Sequence, residues 1–334
     1  MGEVFLGIDT SCDDTCVALV DEGRRVLASV VSSQEDIHRK FGGILPEFAS
    51  RAHAERIGWV AEEALKKSGI RLGDVKGVGV TRGPGLPGSL LVGWEFAKGL
   101  SISRNIPLIP LNHLEAHLFA CFLGREGEKF PLVGMVVSGG HTLLAYSPEP
   151  FKFYLLGQTR DDAGGEALDK VARMLGLSYP GGPELEKLAK KGDPSRIEFP
   201  LRILPGTYDF SFSGIKTQAK RIWERKEVSP EDLAASFQKA VVEILVDKLE
   251  FALDTLEVNM VVAGGGVMAN RLLRERLKEL SWRRNIPVWF PPPEFSIDNG
   301  AMIAGLAYYR WKEGREGGLE EDIKPSWNLE LWKG

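Results

Sequence analysis

The sequence predicts an α/β fold made of two similar lobes with a central cleft, on three observations. Short apolar runs alternate with longer amphipathic ones along most of the 334 residues, the pattern of strands covered by helices. A strand, a tight turn and a returning strand open each half, over residues 5–20 and again over 132–146. Glycine-rich turns follow strand-like runs at 83–88, 138–141 and 264–266, marking abrupt changes of chain direction. No residue-level repeat accompanies these features, so the duplication lies in the pattern.

Residues 5–8, 16–20 and 26–31 are apolar runs separated by polar turns and predict three adjacent strands. In 52–65, Ile57, Val60, Ala61, Ala64 and Leu65 recur at helical intervals, with Gly69 beyond them as a stop. A strand at 75–80 runs into Arg82-Gly83-Pro84-Gly85-Leu86-Pro87-Gly88-Ser89, followed by a helix at 90–100 and a strand at 107–110. The pattern restarts with a strand at 132–137, the turn Ser138-Gly139-Gly140-His141 and a strand at 142–146. Then come a long amphipathic helix at 234–253, a strand at 259–263, a helix at 269–280, a strand at 287–290 and a mostly apolar helix at 299–311. Residues 192–229 mix charge, proline and glycine with weak periodicity and predict an inserted element rather than core.

Lys and Arg number 42 against 46 Asp and Glu, a net charge of −4. This excludes a globally basic nucleic-acid coat but not a local basic patch. The 43% hydrophobic and 26% charged residues are those of an ordinary folded domain, not of a disordered or fibrous chain. Cys12, Cys16 and Cys121 lack C-x-x-C spacing, which argues against a disulfide scaffold or a zinc knot and fits a reducing cytoplasm. The start has no basic export region, and Leu6 stands where a myristoylation signal needs Ser or Thr. No apolar run approaches the ~18 residues of a membrane span. The richest, 261–269, is broken by three glycines. The expectation is a cytoplasmic enzyme with no membrane contact.

Two of the five histidines, His113 and His117, follow Asn112, a candidate N-cap, in a helical stretch. Four residues apart, they share one face, as helical histidines do when they ligate a divalent metal. Capped or solvated histidines near a helix start are the plain alternative. Leu114 occupies the place where H-E-x-x-H proteases carry their base, and Glu115 turns away from the histidine face. At 136–142 two glycines and two hydroxyls stand at a strand end, suited to a phosphate or to an ordinary hairpin turn. Asp9-Thr10-Ser11-Cys12-Asp13-Asp14-Thr15 holds the matching place in the first half, with acids suited to a hydrated cation. Gly264-Gly265-Gly266 before a helix suits an anionic or flat ligand, or simply tight strand–helix packing, and does not match G-x-G-x-x-G. Asp161 to Lys170 is acidic at a helix entrance, where the helix dipole favours acids, and Asp298 at another helix start reads first as an N-cap.

Together these segments resemble the TsaD, or O-sialoglycoprotein-endopeptidase-like, family of tRNA threonylcarbamoyladenosine transferases in the actin–hexokinase–Hsp70 ATPase (ASKHA) superfamily. The resemblance covers nearly the whole chain. It rests on Gly7-Ile8-Asp9-Thr10-Ser11-Cys12-Asp13-Asp14-Thr15, Gly83-Pro84-Gly85-Leu86, His113-Leu114-Glu115-Ala116-His117 and Val137-Ser138-Gly139-Gly140-His141-Thr142. Residues 161–170, Phe212-Ser213-Gly214-Ile215-Lys216-Thr217, Gly264-Gly265-Gly266-Val267-Met268-Ala269-Asn270 and Asp298-Asn299-Gly300-Ala301-Met302-Ile303-Ala304 complete it. In the archaeal and eukaryotic branch a tyrosine precedes V-S-G-G as a further metal ligand and asparagine follows it. Val136 and His141 stand there instead, so the chain looks bacterial in type. It also departs at Asp9, Gly164 and Leu168, where the family usually has glutamate, alanine and phenylalanine.

The resemblance implies an actin-like ATPase (ASKHA) fold. Residues 1–111 would form the N-terminal lobe, with 305–334 packing back on it, and 112–304 the C-terminal lobe carrying metal and nucleotide sites, with an insertion near 192–229. It implies that His113, His117 and Asp298 hold one divalent metal, iron or else zinc. It further implies that Val136, Val137, Ser138, Gly139, Gly140, Asp169, Gly182, Glu186 and Asn270 contact an adenine nucleotide or threonylcarbamoyl-AMP. The implied reaction carries the threonylcarbamoyl group from threonylcarbamoyl-AMP to N6 of adenosine 37 in tRNAs reading ANN codons, forming t6A without a side-chain nucleophile. Implied partners are tRNA, a TsaB-like paralogue and a TsaE-like ATPase. Lys216, Lys220, Arg221, Arg225 and Lys226 are either a local tRNA patch or a solvated charge run. Two other classes compete. A metal-dependent endopeptidase lacks its base beside His113, and an ATP-driven scaffold of Hsp70 type has no use for a metal triad.

Overall fold

The computed structural model describes residues 2–39, 41 and 43–333. The chain forms two compact units, residues 1–128 with 291–329 and residues 129–290 with 330–334. The first opens with β1 (Val4–Asp9), β2 (Asp14–Asp21) and β3 (Arg25–Ser33), an antiparallel meander. After α1 (Glu35–Arg39), α2 (Pro46–Ser68) crosses to β4 (Gly77–Gly83), and α3 (Pro87–Arg104) crosses to β5 (Leu108–Asn112), which runs straight into α4 (His113–Phe119). Strands β4 and β5 join the sheet in parallel, the usual outcome of helical crossovers.

In the second unit β6 (Leu132–Val137), β7 (Thr142–Ser147) and β8 (Tyr154–Gln158) repeat the meander. Helices α5 (Gly164–Met174), α6 (Gly181–Ala189), α7 (Ser213–Glu224) and α8 (Pro230–Thr255) precede β9 (Met260–Gly264), and α9 (Arg271–Arg284) precedes β10 (Val288–Trp289). The chain then returns to the first unit with α10 (Gly300–Lys312). The two sheets have the same order, β3-β2-β1-β4-β5 and β8-β7-β6-β9-β10. The duplicated pattern of the sequence is therefore a duplicated topology.

Each element forms for a local reason. β1 is buried along its whole length because α10 covers it, which is why Val4 to Ile8 reads as a continuous rather than an alternating apolar run. α2 starts at Pro46, well before its first predicted residue, since proline suits the first helical turn. It buries Ile57, Val60, Ala61 and Ala64 and ends at Gly69, whose φ of 69° is the left-handed conformation that glycine adopts freely.

Several expectations are corrected. Residues 112–128 and 291–304 belong to the first unit rather than to the C-terminal lobe, because β5 leads directly into α4 and α4 packs on α10. Residues 330–334 join the second unit: Leu155 N–H donates to the Glu330 carbonyl at 2.6 Å and Trp332 N–H to the Leu155 carbonyl at 3.0 Å. The stretch read as an insertion contributes Phe199, Phe210, Phe212, Ile215 and Ala219 to the second core. The helix placed at 269–280 begins at Arg271, after a single 3-10 turn. Among the described residues no helix is long and apolar enough to cross a membrane.

Candidate metal centre

Because α4 starts where β5 stops, Asn112 ends the strand and caps the helix. Its Oδ1 accepts from the N–H groups of Leu114 (2.9 Å) and Glu115 (3.4 Å), and its Nδ2 donates to the Trp327 carbonyl (2.9 Å). This fixes the first turn of α4, where His113 and His117 are both buried. Their Nε2 atoms lie 3.1 Å apart. Asp298 arrives from the loop before α10, with Oδ1 3.2 Å from His117 Nε2 and 3.6 Å from His113 Nε2. Asp298 is not the helix cap. Asn299 is, its Oδ1 accepting from Met302 N–H at 2.9 Å, which leaves the aspartate carboxylate for the histidines.

The three atoms suit a cation. Ligands held about 2.0–2.1 Å from a zinc-like ion stand ~3.3 Å apart in a tetrahedron, and the observed separations run from 3.1 to 3.6 Å. Two ring nitrogens this close need a shared proton or a metal between their lone pairs. The charge balance agrees. Burial opposes a positive charge on His113, yet Asp9 and Asp298 outweigh it and raise its pKa to about 9. Burial, then the charges of Asp298 and Asp13, lifts the Asp14 carboxyl to about 7, and burial also raises Asp13. A group of acids this hard to ionise together is relieved by a bound cation.

The neighbours include residues that the linear pattern did not attach to the histidines. Asp9 Oδ2 lies 3.3 Å and Ser11 Oγ 3.2 Å from His113 Nδ1. The sequence marked 9–15 as an acidic loop, but nothing in a string 102 residues away from His113 announces that contact. The Gly83–Leu86 motif has a supporting role: Leu86 N–H donates to the Ser11 carbonyl at 2.8 Å. Glu115 pairs with Arg310 at 3.1 Å, away from the imidazoles.

The other candidate residues all lie in the second unit. Val136 and Val137 end β6 and are buried, while Ser138, Gly139 and Gly140 form the turn into β7. Ser138 N–H is already used, donating to the His141 carbonyl at 2.8 Å, whereas the N–H groups of Gly139 and Gly140 donate to no acceptor among the described residues. Gly265, with φ at 93°, lets its strand end lie on this turn, for a Cβ there would stand 2.5 Å from the Val137 carbonyl oxygen. A hydrogen-bonded series joins the rest. Asp169 Oδ1 accepts from Gly182 N–H (2.8 Å), and Glu186 Oε1 from Arg271 N–H (3.3 Å). Asn270 caps α9 through Leu273 N–H (3.0 Å) and donates to Gln238 (3.2 Å). Glu186, Gln238 and Arg271 line a hollow of about 260 Å³. Burial raises the Asp169 pKa against the two backbone N–H groups that stabilise its anion. In the basic stretch, Lys216 is paired with Asp162, Lys220 lies 3.7 Å from Glu224 and Arg225 3.7 Å from Glu227, which favours the solvated charge run for these three.

The chain is similar to known proteins. The TsaD family model, described as tRNA N6-adenosine threonylcarbamoyltransferase, matches residues 25–305. A protein of that name from Desulfitobacterium hafniense is 48% identical over 331 residues, covering 97% of this chain and 95% of its own. One from Symbiobacterium thermophilum is 47% identical over 330 residues, covering 98% and 97%. Among solved structures, component A of the (R)-2-hydroxyglutaryl-CoA dehydratase of Acidaminococcus fermentans matches with a TM-score of 0.57 at 16% identity, covering 92% of this chain and 99% of its own. HypF of T. kodakarensis matches at 0.65 and 14%, covering 94% of this chain and 48% of its own. At such identities the structural neighbours speak for the fold alone. The relatives speak for more: with a matching family model and near-half identity along almost its full length, the chain belongs to the TsaD family of tRNA N6-adenosine threonylcarbamoyltransferases.

Proposed function

We propose that the chain transfers a threonylcarbamoyl group from threonylcarbamoyl-AMP to N6 of adenosine 37 in tRNAs reading ANN codons, as a metal-dependent acyltransferase of the cytoplasm. The observation that carries this reading is the convergence of His113, His117 and Asp298 on one point in a chain of this family. His113, His117 and Asp298 would hold the ion, iron or zinc, which when bound would supply a Lewis acid for a carbonyl or charge for a leaving phosphate.

The remaining work falls to the chain itself. The N–H groups of Gly139 and Gly140, which donate to no acceptor among the described residues, take the phosphate of the mixed anhydride. Asp169 holds the first turn of α6 through Gly182 and thereby sets Glu186 beside Arg271 and Asn270, where the hollow next to Gln238 accepts the nucleoside. The N6 amine is the nucleophile, so no side chain needs activation, and Glu115, committed to Arg310, is not available as a protease base. The cycle further calls on a TsaB-like paralogue and a TsaE-like ATPase.

The test is transfer from labelled threonylcarbamoyl-AMP to unmodified tRNA, with nucleoside digestion to identify the product. Appearance of t6A at adenosine 37 is expected. Absence of label in tRNA, with and without the two partners, contradicts the proposal.

A further inference from the structure

We infer that Asp9 is a positioning residue for the metal centre: through its carboxylate it holds the His113 ring in the tautomer and orientation that leave Nε2 free to ligate. The inference rests on the proposed metal site and adds to it an inequality between the two histidines. Asp9 is the last residue of β1, wholly buried, and paired in the sheet with Cys16. Its Oδ1 is fixed by Ser11 N–H at 3.2 Å, while its Oδ2, sealed from solvent and not spent on any hydrogen bond among the described residues, meets His113 Nδ1 as an ion-pair contact at 3.3 Å. Ser11 Oγ approaches the same nitrogen at 3.2 Å. A buried carboxylate beside Nδ1 keeps the ring proton there, which makes Nε2 the lone-pair atom, and its negative charge makes that atom a better donor. His113 Nε2 is the atom that faces His117 and Asp298.

His117 has no such support. Its Nδ1 is buried with no hydrogen-bond partner among the described residues. The ring is held by packing and by its place on α4, not by a second anion. One histidine therefore comes set for the metal by an anion on a buried strand, while the other is placed by its helix and its packing alone.

The test uses the full-length protein, stripped of metal and titrated with cobalt(II), whose visible absorption reports ligand geometry, in wild type, Asp9→Asn, Asp9→Ala and Asp9→Glu. The expected result is one cobalt per chain throughout, with dissociation constants raised about 10–100-fold in Asp9→Ala, less in Asp9→Asn and least in Asp9→Glu. The absorption bands should move in Asp9→Ala, and melting of the metal-free proteins should stay within a few degrees. Should Asp9→Ala fail to fold, the isosteric Asp9→Asn carries the comparison by itself. Normal wild-type binding with an unchanged dissociation constant and spectrum in the Asp9 variants overturns this inference alone. A wild type that binds no cobalt overturns the metal reading, and this inference with it.

Discussion

Glu115 and Arg310 form an ion pair, Oε2 to Nη2 at 3.1 Å, that crosses from α4 to α10 with the arginine side chain 5% exposed. It joins the helix bearing both histidines to the helix that Asp298 introduces. Burial raises the Glu115 pKa and Arg310 pulls it down, while Arg310 is also held by Glu313 at 3.1 Å.

Breaking that pair is costly, because it takes an anionic partner from a buried guanidinium. Glu115→Gln is expected to lose about 2–4 kcal/mol of stability, measurable by urea unfolding, and to weaken metal binding by loosening α4 on α10. Unchanged stability would show that the ion pair contributes nothing to the fold.

The metal-free protein should lose stability as pH rises from 6 to 9. The folded pKa of His113, about 9, is above its ordinary 6.5, so its contribution is full below about pH 6.5 and lost as pH passes 9. The Asp14 carboxyl, raised from 3.8 to about 7, acts in the same direction at lower pH. The His113 term is on the order of 3 kcal/mol. Melting of the stripped protein checks the slope, and His113→Gln should flatten it. Metal affinity should run the other way, rising with pH toward 9, because the ion must displace the His113 proton.

Asp298→Asn separates ligand from cap. Asn299 caps α10, so the start of that helix should survive in the metal-free variant, whose stability should depend less on pH because Asp298 no longer raises the His113 and Asp14 pKa values. A neutral amide is a poor donor to iron or zinc, so metal affinity should fall at least about tenfold and most transfer with it. Full occupancy and full activity would mean that another residue completes the site.

Gly139→Val probes the turn after β6. A Cβ on Gly139 meets nothing within 4 Å, so stability should change by less than about 1 kcal/mol. A branched side chain over the free N–H groups should nonetheless weaken binding of an adenylate analogue tenfold or more by calorimetry. Equal affinity would make this an ordinary hairpin turn.

How far the sequence carries is visible in these same residues. The spacing of His113 and His117 and the cap at Asn112 are local, and both are legible as such. Asp298 is less so, since an Asp-Asn pair before a helix offers two caps and only the fold shows that Asn299 takes the role. Asp9 beside His113 depends on a strand and a helix brought together from far apart in the chain. α6 opens Gly181-Gly182-Pro183, which reads as a turn, and α7 lies in a proline- and glycine-rich window with only Ile215 and Ala219 buried. Tertiary packing, not propensity, makes those helices.

The most direct measurement is threonylcarbamoyl transfer to tRNA as stripped protein is titrated with iron(II) or zinc(II), with bound metal counted in the same samples. The account requires transfer to rise in proportion to occupancy, to saturate near one ion per chain and to stay at background in His113→Ala/His117→Ala. Full transfer by the stripped enzyme, or one ion per chain in the double variant, would contradict it.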